Sequence, residues 1–172
     1  MGEPYIDVLA IDPDPCGGTW VHLDGTGVVR EHHRREEIDA LCDLARFGHC
    51  VVAVELMQSY GMPVGLSIFE SCYRIGELMR ACKGNGVTFW PTTRKQVVST
   101  LCGKANAKDK NVRAALLDLY PATGGGKTPQ IGTKAQPGPL YGLAADEWSA
   151  LAIGLCYLYS VKQGPLWARD SL

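Results

Sequence analysis

The sequence predicts an α/β domain: a mixed sheet of five strands with helices on its faces. Three observations carry this. The run Val51-Val52-Ala53-Val54 is unbroken in its apolar character, as a central parallel strand covered on both faces must be. Two short runs near the start of the chain, Gly18–Leu23 and Gly27–Arg30, flank Asp24-Gly25, a hairpin signal. After them, helical and strand patterns alternate, which leads an antiparallel hairpin sheet into parallel α/β units.

Taken in order, Tyr5–Ile11 is a strand stopped by Asp12-Pro13-Asp14-Pro15. The two hairpin strands follow. Arg35–Phe47 has Ile38, Leu41, Leu44 and Ala45 at helical spacing, and Gly48 closes it. Val51–Glu55 is the fourth strand. Val64–Cys82 is a long amphipathic helix with Ile68, Cys72, Ile75, Met79 and Cys82 on one stripe, and Leu66, Phe69, Tyr73 and Leu78 off it. Val87–Trp90 is the fifth strand, ended by Pro91. Helices are expected over Thr92–Cys102, Asp109–Tyr120 and Leu143–Val161. Between the last two, residues 121–142 are rich in Gly, Pro, Thr and Lys and form a flexible loop, long enough to be functional or disordered.

A chain of 172 residues, 46% hydrophobic and 20% charged, fits one domain with a substantial core. No apolar run approaches the length that spans a bilayer. The first residues, MGEPYIDV, lack the basic and apolar regions of a secretory signal, and Ile6 stands where lipidation of Gly2 would need Ser or Thr. Seven cysteines without a C-x-x-C pair argue against zinc and for buried free thiols in a reducing cytoplasm. The segment PATGGGKT ends like a phosphate-binding loop. It has Pro121 where that pattern needs glycine, and helix where a strand should precede.

Three acids stand at element ends: Asp12 after the first strand, Glu55 after the fourth, and Asp146 at the start of the last helix. Ligands of open α/β sheets bind beyond the carboxyl ends of the strands, and converging carboxylates are hard donors for Mg²⁺ or Mn²⁺. Each acid also has a plainer reading: a turn former at Asp12, a helix-dipole partner at Asp146, a distant arginine for Glu55. Net charge is −1, yet Arg94, Lys95, Lys104, Lys108, Lys110 and Arg113 are opposed within their stretch only by Asp109. Such a cluster is either an electrostatic footprint or a solvated helix face.

The segments VLAIDPDP, VAVELMQSYGMPVG, RKQVVSTLCGKANAKDKNVRAALLD and PGPLYGLAADEWSALAIGL resemble, in order and over nearly the whole chain, the RuvC family of Holliday-junction endonucleases, its phage and prophage branch above all. The resemblance implies an RNase H-like fold, a homodimer, and metal-dependent cutting of four-way DNA junctions in recombination or repair, in a bacterial host cytoplasm if phage-encoded. Matched by motif, Asp12, Glu55 and Asp146 are the metal-holding catalytic acids of two Mg²⁺ ions, with Mn²⁺ as substitute. Lys95 and Lys110 are the basic residues near the scissile phosphate, and Arg94, Lys104, Lys108 and Arg113 complete the DNA-facing set. Ser149 stands where cellular members carry a further aspartate, so its hydroxyl becomes the fourth metal contact. The resemblance leaves open a nuclease of the same fold acting on flaps, forks or RNA–DNA hybrids, and a DNA-binding module without catalysis.

Overall fold

The structure, a computed structural model, describes residues 6–47, 50–59, 61 and 63–163. Tyr5, Gly2 and Gly48, on which three of the expectations above rest, lie outside the described residues. The elements are β1 (Asp7–Pro13), β2 (Gly17–Leu23), β3 (Val29–Glu37), α1 (Ile38–Phe47), β4 (Cys50–Glu55), α2 (Leu66–Gly84), β5 (Phe89–Thr92), α3 (Arg94–Cys102), α4 (Asp109–Leu119) and α5 (Glu147–Gln163). They build a five-stranded sheet in the order β3-β2-β1-β4-β5. β2 runs antiparallel to β1 and β3, while β4 runs parallel to β1 and β5. Among the described residues no helix is long and apolar enough to cross a membrane.

Strand alternation divides the core into two layers. Val8, Ala10, Val51 and Ala53 face α5 and the residues of α3 and α4 packed with it. Leu9, Ile11, Val52 and Val54 face the other way, onto Leu41 and Ala45 of α1 and Ile75, Leu78 and Cys82 of α2. Both faces of β1 and β4 are thus covered, which is why these strands read as apolar runs. α5 is buried along Ala150–Leu158 on every side. A helix apolar all round belongs inside a protein, and this one crosses the face of β1 and β2. It comes close because residue 154 is glycine: a Cβ there would stand 3.0 Å from Ala10 Cβ and 2.6 Å from Leu23 Cδ1.

Several boundaries differ from the sequence reading. The third strand runs on to Glu37, where periodicity ended it at Arg30, and α1 begins at Ile38 instead of Arg35. β3 is an edge strand, held to β2 by backbone hydrogen bonds while its charged side chains meet water. It has no apolar period to detect. On α2 the buried stripe is Ser71, Ile75, Leu78 and Cys82, so Cys72 and Met79 lie outside it and Leu78 within. Two apolar stripes compete on this helix, and only packing selects one. Of the seven cysteines, all free, Cys82 and Cys156 are buried, whereas Cys16 and Cys72 are exposed.

α5 starts at Glu147, four residues later than the apolar pattern suggests. The preceding loop is laced by its own backbone: Gly124 N donates to Pro129 O, Gly125 N to Gln136 O, and Gly132 bridges Pro137. Gly132, at φ 80°, lies so close to Gly138 N that a Cβ would approach it to 2.2 Å, so the loop closes only with glycine there.

The close approach of α5 yields a stability prediction. Gly154→Val should destabilise the fold by about 2–3 kcal/mol, because overpacking outweighs the gain in helix propensity. Urea denaturation of the two proteins measures it, with an unchanged midpoint showing that the sheet tolerates a wider gap.

Candidate active site

The site forms where the parallel strands end. β1 and β4 pair in register from Asp7↔Cys50 through Ile11↔Val54, which sets Asp12 and Glu55 side by side at their carboxyl ends. Glu55 in turn pairs with Thr92, the last residue of β5. There a capping box turns the chain into α3. Gln96 N donates to Thr93 Oγ1, and Thr93 N to Gln96 Oε1. The next residue, Arg94, therefore stands beside the acids. α5 brings Asp146 and Ser149 from above the sheet, and the Ser149 hydroxyl donates to the Asp12 carboxylate.

Electrostatics bind these residues into one site. Burial pushes the Asp12 carboxyl up from the ordinary 3.8 to about 7, and the negative charges of Glu55 and Asp146 push the same way. Arg94 and the Ser149 hydrogen bond oppose the shift. The Glu55 carboxyl is also raised by burial and, secondarily, by Asp109, against the pull of Arg94. The charge that meets the acid ending the apolar β4 strand is thus an arginine 39 positions later in the chain. Arg94 is itself shared, ion-paired to Asp109 at the start of α4.

The basic residues divide. Arg94, Lys110 and Arg113 line a cleft of about 370 Å³ together with Asp109, Asp146, Trp148 and Ser149. Arg113 lies over the Trp148 ring, 4.3 Å from its centre. Lys95 is exposed on α3 and lines a separate hollow with Gln96, Thr92 and Ser160. Lys104 and Lys108 are exposed in the turn between α3 and α4 and line neither. A larger hollow, about 680 Å³, is elsewhere, between β1–β3 and α1, and none of the acids of the site lines it.

One functional neighbour escaped the sequence reading. Glu147 does turn away from Asp146, but inward: it is 3% exposed. His32 Nδ1 donates to its Oε1 at 2.7 Å, Ala144 N donates to its Oε2 at 2.7 Å, and Arg34 Nε is 4.0 Å away. This buried carboxylate ties the first turn of α5, and Asp146 with it, to β3. The only signal for it was a glutamate three residues after Ala144, half of a capping box.

Carboxylates crowded against burial are chemically suited to a hard divalent cation. Among the described residues, however, no group of three or more His, Cys, Asp or Glu is arranged to hold a metal ion. The donors fit Mg²⁺, which commonly takes one or two carboxylates and completes its octahedron with water and substrate phosphate.

Because Asp12 binds its proton more tightly folded than unfolded, its ionisation subtracts stability as pH rises from about 4 towards 7, and the loss is complete above that. Without divalent cations, Asp12→Asn should therefore melt higher than the wild type at pH 8, by a margin that narrows as pH falls to 5. A gap of several degrees is expected, at about 2–4 °C per kcal/mol for a chain of this size. Equal melting temperatures at both values would show that Asp12 ionises freely.

No family model matches the sequence, and no curated protein matches it. Among the solved structures that are similar, two cover nearly the whole chain. One is Thermus thermophilus RuvC, with a TM-score of 0.63 at 18% identity, covering 93% of this chain and 98% of that chain. The other is T. thermophilus RuvC in complex with Holliday junction substrate, with a TM-score of 0.64 at 16% identity, covering 93% and 97%. At these identities the likeness concerns the fold: over nearly its full length the chain has the RuvC-type, RNase H-like architecture that its motifs imply.

Proposed function

We propose that the chain is a metal-dependent endonuclease that resolves four-way DNA junctions as a symmetric dimer. The observation that carries the reading is the convergence of Asp12, Glu55 and Asp146 at the carboxyl end of the sheet, with the proton affinity of Asp12 raised by burial and then by the other two acids. A fold neighbour in complex with a Holliday junction substrate supports the choice of DNA. The serine at 149, in place of an aspartate, agrees with the phage branch of the resembled family.

Asp12, flanked by Glu55 and Asp146, would hold Mg²⁺, or Mn²⁺ in its place, through one or two of these carboxylates, with water and substrate phosphate completing the shell. When bound, the metal supplies the Lewis acidity for hydrolysis of a phosphodiester. The chain's own groups do the rest. Ser149 holds the Asp12 carboxylate by a hydrogen bond. Arg94 offsets the charge of Asp12 and Glu55 before substrate arrives. Lys110 and Arg113 line the cleft beside Asp146 and offer cations to the phosphate, where developing negative charge is stabilised by fixed positive groups. Discrimination of a junction from a duplex rests on branch shape.

The dimer uses α2. Leu66, Phe69 and Tyr73 are 74%, 60% and 64% exposed along one side of that helix, opposite its buried stripe. Two symmetric cuts require two sites related by a two-fold axis, so the occupant is a second copy.

The purified protein with Mg²⁺ should cut a mobile four-way junction and leave duplex, flap and fork controls intact. Asp12→Asn, Glu55→Gln and Asp146→Asn should each bind the junction and cut it more than ~100-fold slower, beyond what outer partners of a metal reach. Near-normal cutting by Asp12→Asn would sink the assignment, and preference for a flap or fork would redirect it. Replacing Phe69 and Tyr73 together by glutamate should yield a folded monomer in sedimentation and uncouple the two cuts, so that singly nicked junctions accumulate. Retained dimer mass would place the interface elsewhere.

A further inference from the structure

β3 carries one residue too many for its partner. Gly18 pairs with Glu36 and Trp20 with His33, so Thr19 alone on β2 faces both Arg34 and Arg35. This is a β-bulge, a device that bends a strand and re-aims its side chains, and that occurs often beside active sites. Arg35 sits at φ 57°, a left-handed conformation unfavourable for any residue with a Cβ. β2 approaches closely beside it: a Cβ on Gly17 would meet Glu36 O at 2.1 Å.

The bulge opens onto the acids. Arg34 and Arg35 line a hollow of about 410 Å³ with Thr19, Ala145 and Asp146. Thr19 is the cross-strand partner of Asp12. Ala145, at φ 45°, is the only other described non-glycine residue with positive φ, so both strained positions border one hollow. Strain held in place by its surroundings clusters at functional sites. Arg34 is 57% exposed and reaches the buried Glu147 only at 4.0 Å. Arg35 is exposed and makes no ion pair with a described residue.

We propose that Arg34 and Arg35 form a second phosphate subsite, holding the nucleic-acid backbone on the side of Asp146 away from Lys110 and Arg113. The proposal rests on the nuclease reading and adds to it. A polyanion entering a cluster of carboxylates is repelled, and a basic ridge on α4 alone compensates one side. Guanidinium groups on the bulge compensate the other, and their planar forks match phosphate oxygens in pairs. The strand to be cut would then be gripped on both sides of the acidic centre.

The test exploits the strain. Arg35→Gly removes the charge at a backbone angle that glycine adopts freely, so the variant should melt no lower than the wild type. Junction binding is measured in EDTA over a series of salt concentrations. Arg35→Gly should bind several-fold more weakly, with the slope of log K against log salt reduced by about 0.9 for the lost contact on a duplex arm. Arg35→Lys should recover most of the slope, and with Mg²⁺ the KM of Arg35→Gly should rise more than kcat falls. Arg35→Asn, also tolerant of the left-handed region, repeats the measurement should the glycine variant fold poorly. Unchanged affinity and slope in a folded variant, while the wild type binds and cuts the junction, would overturn this subsite and leave the nuclease reading standing. A wild type that binds no DNA would overturn both.

Discussion

Three carboxylates share one end of the sheet, and only one of them, Asp146, is exposed. That crowding governs much of what surrounds it. Burial and like charge raise the affinity of Asp12 for a proton, which makes the site a place of electrostatic tension. Arg94 and Ser149 relieve part of it, yet Arg94 is divided among Asp12, Glu55 and Asp109. The remainder is a demand for positive charge that the proposed divalent cation would answer. In the nuclease reading it would also account for the cations beside the cleft of a protein of nearly zero net charge, because the acids would repel a polyanionic substrate.

The scaffold keeps these charges together by two unrelated means. Backbone pairing of β1 with β4 sets Asp12 against Glu55, and no side chain need take part. Asp146 depends on the placement of a helix. Gly154 lets α5 lie close to the sheet, while the Glu147–His32 hydrogen bond and the Ala144 N–H cap anchor its first turn to β3 and to the preceding loop. A buried carboxylate that spends its hydrogen bonds on positioning thus stands next in sequence to an exposed one free for chemistry. Asp146 stands just before the helix and is exposed, while Glu147 opens it and is buried.

The same edge strand that anchors α5 carries the bulge. β3 joins the sheet chiefly through backbone bonds, so its side chains beyond Val29 are largely released from the core and are all charged or histidine. His32 and Arg34 alternate along it towards Glu147, and the extra residue at Arg35 breaks that alternation. An edge strand of this composition resists pairing with other chains and can also serve as part of an active-site wall.

What the sequence by itself determined is what depends on neighbours along the chain. The apolar runs of β1 and β4, the acids that end them, the Thr93 turn into α3 and the wholly apolar α5 are legible because hydrophobic period and turn chemistry are local. Motif order extended this to the fold. Only the tertiary structure decided the length of β3, which has no apolar period, and the phase of α2, where two stripes compete. It alone paired Arg94 with acids on other strands, sent Glu147 inward to His32, separated Lys95 from the cleft that Lys110 lines, and placed Arg34 and Arg35 beside Asp146. Each of these is fixed by contacts between residues far apart in the chain, where strand register and helix packing choose among arrangements that local propensity leaves equal.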